Sequence, residues 1–300
     1  MSMAGRLSGH YIRKRLRTAG WARRIAGFSG VLLVVGILVY RLGGIDFAAL
    51  KLVLAVVLGL ASLALLLSLA GLARVWHSGH EGGGKAVGAL AIALLVALPF
   101  IGAGLLAVEN PAANRAETDG MLAADISDGA DLNDALPGAG TGPTIDGRQV
   151  QARAAQVYVL VRKVLGDEGW QIEEVATAEP EDIGTPAPGS NDLGISGTID
   201  IPLPTARDAA AAATAADPFA RPESREYTIR ALATGPVLAL PSDINIRIVE
   251  DATLTYVDLR ATSRLVDWDL GQNRRFVEDF LAALDVALAG LAAIGPVGEG

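Results

Sequence analysis

The chain has no cysteine and only three histidines, none of them beyond His80. The first absence excludes disulfides, thiol nucleophiles and thiolate metal sites. The second leaves the carboxy-terminal part without a Ser-His-Asp triad or a histidine-based metal centre, and its one lysine, Lys163, falls on a predicted helix. Acidic residues are scarce before position 109 and basic ones are outnumbered after it. Residues 1–108 hold eleven Lys and Arg against two Asp and Glu, and residues 109–300 hold fourteen against thirty-one. The two parts thus carry +9 and −17. A domain this acidic repels nucleic acid and anionic lipid head groups, so no nucleic-acid partner is expected.

What the amino-terminal part has instead is uncharged length. Sixteen residues without charge separate Arg24 from Arg41, twenty-two separate Lys51 from Arg74, and twenty-three separate Lys85 from Glu109. About twenty apolar residues at a rise of about 1.5 Å cross the hydrocarbon core, so the second and third runs are long enough as they stand. The first becomes long enough if Leu42 to Ile45 extend it and Arg24 and Arg41 snorkel. A cleaved signal peptide is the competing reading of the first run, but its core is long and no A-x-A site precedes Asp46.

The short flanks set the expected orientation. Nine Lys and Arg lie in residues 1–24 and the 74–85 loop, against Arg41, Lys51 and Arg115 on the other side. The positive-inside rule then puts the amino terminus in the cytoplasm and everything after the third span outside. The expected plan is a basic cytoplasmic tail (1–24), a membrane domain of three helices (25–108), an acidic Gly/Pro-rich tether (109–146) and a folded domain (147–291).

The folded domain reads as α+β. Val150, Ala154, Val157, Leu160, Val161, Val164 and Leu165 keep helical spacing over 147–167, ending at Gly166 and Gly169. Strands are expected at 170–177, 194–201, 225–234, 242–250 and 253–263, with 202–224 interrupting them. From Asn273 onwards Phe276, Val277, Phe280, Leu281, Leu284 and Leu288 hold a 3.6 period. These elements predict a mostly antiparallel sheet flanked by two helices.

The stretch VDLRATSRLVDWDLGQNRRF (257–276) gathers the charge of this domain. Asp258, Arg260, Ser263, Arg264, Asp269, Leu270, Gly271 and Asn273, followed by FLAAL at 280–284, stand at the spacing of the joint that marks the domain of unknown function 1499 family. DEGWQIEEV and PSDINIRI upstream resemble two further segments of that family, and the likeness covers roughly residues 147–290. Three positions depart from it. Ala261 replaces a serine, Val266 a glycine, and Phe276 stands where an arginine is expected. The resemblance implies an α+β fold and an envelope or membrane-associated setting, and no known activity.

Two readings of the stretch follow from its chemistry. As a structural joint, Asp269 caps a helix with Gln272 as capping-box partner, Gly271 permits close packing on the sheet, Asn273 reaches back, Ser263 occupies the strand end, and Arg264 pairs with Asp267 or Asp269. As a binding site, Arg230, Arg247 and Arg260 lie on three successive strands and form a cationic row if register aligns them, oriented by Asp258 and Asn273, for a carboxylate or phosphate. Asp258 and Asp269 are also the one pair of acids that could suggest a hydrolase.

Three other motifs carry less. GHEGGGKA (79–86) fits G-x-x-x-x-G-K but lacks the following Ser or Thr and a preceding strand. His77, His80 and Glu81 lie in a loop that fixes no ligand geometry. DISDGADLND (125–134) lacks calcium-loop spacing.

The sequence therefore predicts a multi-pass inner-membrane protein with a periplasmic domain, without cofactor, metal or enzymatic activity. Its expected partners are the lipid bilayer and an envelope protein or polymer. A carrier or sensor of a small anionic or lipidic ligand is the alternative.

Overall fold

A computed structural model of the chain describes residues 17–78, 83–110, 112–121, 123, 145–178, 219–221 and 223–293. It divides into two compact units, Met1–Glu109 and Asn110–Gly300. The expected strand at 194–201, the DISDGADLND run, and most of the 202–224 interruption lie outside the described residues.

The first unit is three helices, α1 (Arg17–Arg41), α2 (Phe47–Ser78) and α3 (Gly83–Glu109). Each contains a segment long and apolar enough to cross a membrane; in α1 it is the 22 residues Gly20–Arg41, so the short first run is lengthened through Gly20–Arg24 and not, as expected, by Leu42 to Ile45, which follow the helix end. Small residues bring the helices together, as expected where lipid supplies no hydrophobic drive between them. Ala26, Ala64 and Ala93, one from each helix, are buried against one another. A methyl at Gly30 would crowd Val96, and one at Gly36 would run into Val53. Ser29 and Ser68 return their hydroxyls to the carbonyls of Ala26 and Ala64. Leu66, Leu95 and Leu98 point outward, the reverse of a soluble helix bundle.

The second unit is a six-stranded sheet with two helices against it. Its strands are β1 (Arg115–Glu117), β2 (Arg148–Val150), β3 (Gln171–Thr177), β4 (Glu226–Thr234), β5 (Pro241–Asp251) and β6 (Leu254–Ser263). The helices are α4 (Ala154–Asp167) and α5 (Gln272–Ala293). The order is β1-β6-β5-β4-β3 with every named pair antiparallel, and β2 also pairs with β6.

Alternation along β4, β5 and β6 sends one set of side chains inward. Tyr227, Ile229, Ile244, Ile246, Ile248, Val257 and Leu259 are buried. Val157, Val161 and Leu165 of α4 and Val277, Phe280, Leu281 and Leu284 of α5 meet them in one core. Trp170, just past the end of α4, stacks on Phe280 with centroids 5.7 Å apart and meets Phe276 edge-on at 5.7 Å. The position where the family resemblance led us to expect arginine thus holds an aromatic core contact.

Two expectations are corrected here. The 147–167 helix begins only at Ala154, because Arg148–Val150 is drawn into pairing with β6. The 109–146 segment is not a tether throughout. Arg115–Glu117 pairs with Arg260–Thr262, and Thr118 bridges to Ile145. β1, within that segment, and β2, just after it, therefore cover one edge of β6, which would otherwise present unpaired backbone groups.

Candidate functional site

Alternation places Arg230, Arg247, Asp258 and Arg260 on the sheet face opposite the core. Register, which period alone does not specify, staggers them. Arg230 stands opposite Asn245, which stands opposite Arg260, whereas Arg247 lies one step along, between Thr228 and Asp258. The expected straight cationic row is therefore a zigzag.

Each of these arginines also has a carboxylate. Arg230 Nη1 lies 3.2 Å from Glu174, Arg247 Nε 2.9 Å from Glu226, and Arg260 Nε 2.9 Å from Glu117. Exposure falls across the sheet in the same order, the arginine side chains being 59%, 39% and 17% exposed. The last pair is consequently the least screened by water. Glu117 is shared, since the buried Arg115 approaches its Oε2 to 2.5 Å. Arg260 also donates to the carbonyl of Met121 at 3.2 Å.

Asp258 sits in a tight recess beside this cluster. A methyl group at Gly120 or at Gly147 would overlap its carboxylate, so two glycines form the walls. The Thr118 hydroxyl donates to Asp258 Oδ1 at 2.7 Å and accepts the Leu259 N–H at 3.1 Å. Partial burial pushes the Asp258 carboxyl above its ordinary value. Asp119 adds to the rise, and Thr118, the Gly120 N–H and Arg247 oppose it. Arg115, Glu117, Thr118, Gly120 and Gly147 escaped the reading of the sequence because strands of three residues are too short for a periodicity count. The one signal was the alternation of Arg115 and Glu117 about Ala116.

The joint between β6 and α5 lies at one end of the sheet. Asp269 accepts the Gly271 N–H at 2.9 Å through one oxygen and the Asn273 N–H at 2.8 Å through the other. The capping box is not formed. The Asp269 N–H goes to the Ala113 carbonyl, and the Gln272 amide turns to the Leu240 carbonyl and the Ser242 hydroxyl. Leu270 and Gly271 both have positive φ, 54° and 76°. Gly271 packs on the Asn110 side chain rather than on the sheet.

Asn273 is wholly buried and donates to the Asn114 carbonyl at 2.6 Å and to Ser263 Oγ at 3.0 Å, leaving its Oδ1 without a hydrogen bond. It faces this joint and not Asp258. Arg264 pairs with neither Asp267 nor Asp269. Its guanidinium joins Asp243, with Nε 2.7 Å away, to Glu173 at 3.1 Å, and the bonds to Asp243 and then Glu173 raise its pKa further. Asp258 and Asp269 hold separate sets of partners on separate elements.

Among the described residues, no group of three His, Asp or Glu side chains is placed to hold a metal ion. A polar depression at the start of α4 is lined by Gln151, Arg153, Gln156, Glu250 and Thr253. Its carboxylate is already engaged, accepting the Ala154 N–H at 2.7 Å as a cap supplied from β5.

This is the geometry of an α+β domain whose charged face is internally paired, following three helices suited to a bilayer. Residues 198–284 match the model of the family described as Protein of unknown function (DUF1499), in agreement with the resemblance read from the sequence. Searches of curated proteins and of solved structures returned no match.

Proposed function

We propose that the protein is a non-catalytic envelope module. Its three helices hold it in the inner membrane with the amino terminus in the cytoplasm, and its α+β domain works in the periplasm by binding an envelope protein or polymer. The orientation is supported by the nine-to-three excess of Lys and Arg on the side of the amino terminus. The observation that carries the binding reading is the pairing of Arg230, Arg247 and Arg260 with Glu174, Glu226 and Glu117. A face built of paired opposite charges suits a polar macromolecular surface better than a small anion, which would have to displace a carboxylate first.

Two experiments test the reading. Alkaline phosphatase fused after residue 115 is expected to be active and green fluorescent protein fused there dark; the opposite pair of results would reverse the orientation. Asp258→Asn and Asp269→Asn keep the shape of the side chain, the second with one acceptor oxygen in place of two, and both should sustain whatever phenotype the gene supports in proportion to folded protein. Loss of that phenotype with an unchanged melting temperature would point to carboxylate chemistry instead. A melting temperature that rises with added phosphate would favour a carrier or sensor of small anions.

A further inference from the structure

The described residues of the α+β domain expose five large apolar side chains, Val159, Val237, Leu265, Trp268 and Val286. Val159 and Val286 stand singly on α4 and α5. The other three share one end of the sheet, where the turn between β4 and β5 meets the joint between β6 and α5. The two loops are bonded together. Gln272 donates to the Leu240 carbonyl, the Arg264 N–H to the Pro241 carbonyl at 3.1 Å, and a methyl at Gly235 would overlap the Gln272 side chain. Val237, Leu265 and Trp268 are 67%, 44% and 41% exposed on this end. A half-exposed tryptophan with leucine and valine beside it is costly in water and favourable at a lipid–water boundary.

The same end receives the chain as it leaves the third apolar helix. Asn110, the residue after Glu109, lies against Gly271. Ala113 accepts the Asp269 N–H at 3.1 Å, and Asn114 accepts the Ser263 N–H at 2.9 Å. Four residues of chain, from Glu109 to Ala113, extend at most ~14 Å. The length of this link keeps the Trp268 joint within reach of the head groups where a chain leaves the hydrocarbon at the first acid after α3.

We infer that Val237, Leu265 and Trp268 form a membrane-docking edge that rests in the head-group layer of the bilayer. The partner is the lipid surface itself, engaged through apolar insertion. The domain's surplus of acids rules out attraction to anionic lipid as the driving force.

The inference rests on α3 spanning the bilayer, and the test separates the two. Because the chain has no cysteine, single cysteines can be placed in the full protein and labelled with an environment-sensitive fluorophore in zwitterionic phosphatidylcholine vesicles. Val237→Cys, Leu265→Cys and Trp268→Cys should each show blue-shifted emission that is lost to nitroxide at the head group more than to nitroxide deep in the acyl chains. High salt should not change this. Arg230→Cys and Val286→Cys should stay in water, and Leu105→Cys in α3 should be quenched by the deep nitroxide.

Deep quenching at 105 without lipid quenching at 237, 265 and 268 overturns the docking edge while leaving the span intact. Blue-shifted labels that no lipid nitroxide reaches would mean a protein contact and also overturn it. No lipid quenching at 105 overturns the span, and the docking edge with it. Three separate positions keep the result readable if Trp268→Cys alone fails to fold.

Discussion

Asp258 shows how a single side chain on an exposed face acquires a confined setting. Its neighbours on the strand leave it open, and residues far away in sequence enclose it. Gly120 and Gly147 must lack side chains to approach it, and Thr118 spends its hydroxyl proton on it. Because burial raises its pKa above the ordinary 3.8, the folded state holds this proton more tightly than the unfolded chain does. The contribution to stability is full below the ordinary value and is lost as pH rises through the raised one. Asp258→Asn should abolish that part of the pH dependence. The variant's melting temperature should gain on the parent's between about pH 4 and neutrality, and a parent that instead gains on the variant over that range would contradict the assignment. Gly147→Ala should cost about 1–3 kcal/mol by displacing the carboxylate, and far less when combined with Asp258→Ala, which removes the group displaced.

At the scale of elements, the start of α5 depends on a joint assembled from three chain segments. Asp269 closes two backbone N–H groups, one with each oxygen, so Asp269→Ala should lower stability by about 1–2 kcal/mol, while Asp269→Asn, which can accept only one of them, should lose an intermediate amount. Gly271→Ala should lose a similar amount from its left-handed φ, with more from its overlap with Asn110. Arg264→Ala is expected to be milder, about 1 kcal/mol or less and smaller still in high salt, because the pairs it makes are well exposed. Chemical denaturation of the four variants checks the ranking; a loss at Arg264 exceeding that at Asp269 would mean that the ion pairs, and not the cap, hold the joint.

For the whole molecule, the division after Glu109 separates two folds that dispose their apolar side chains in opposite ways. The first unit turns leucine outward and small residues inward, and the second does the reverse around the Val157, Ile246 and Phe280 core. Residues 110–300 expressed alone are therefore expected to be soluble and to melt cooperatively, since that core closes on its own helices. Calorimetry on this fragment decides the matter: aggregation or a featureless melt without detergent would show that the core needs the membrane helices.

The sequence by itself determined what repetition along one element can encode. Uncharged length marked the three candidate spans, alternation marked β4, β5 and β6, and the 3.6 period marked α5, because each is the average of many side chains against one solvent boundary. It also told which residues share a face, so Asp258 and Arg260 were legible as neighbours. Tertiary structure decided everything that depends on register and on distant segments. A two-residue period names a face but not a level, so the stagger of Arg247 against Arg230 and Arg260 waited for the strand pairing. Arg264 chose Asp243 and Glu173 over the nearer Asp267 and Asp269, because the end of β6 turns its guanidinium across the sheet. Glu117, Thr118, Gly120 and Gly147 joined the site from a segment with too little periodicity to be seen, since an edge strand of three residues is stabilised by the strand it pairs with rather than by a pattern of its own.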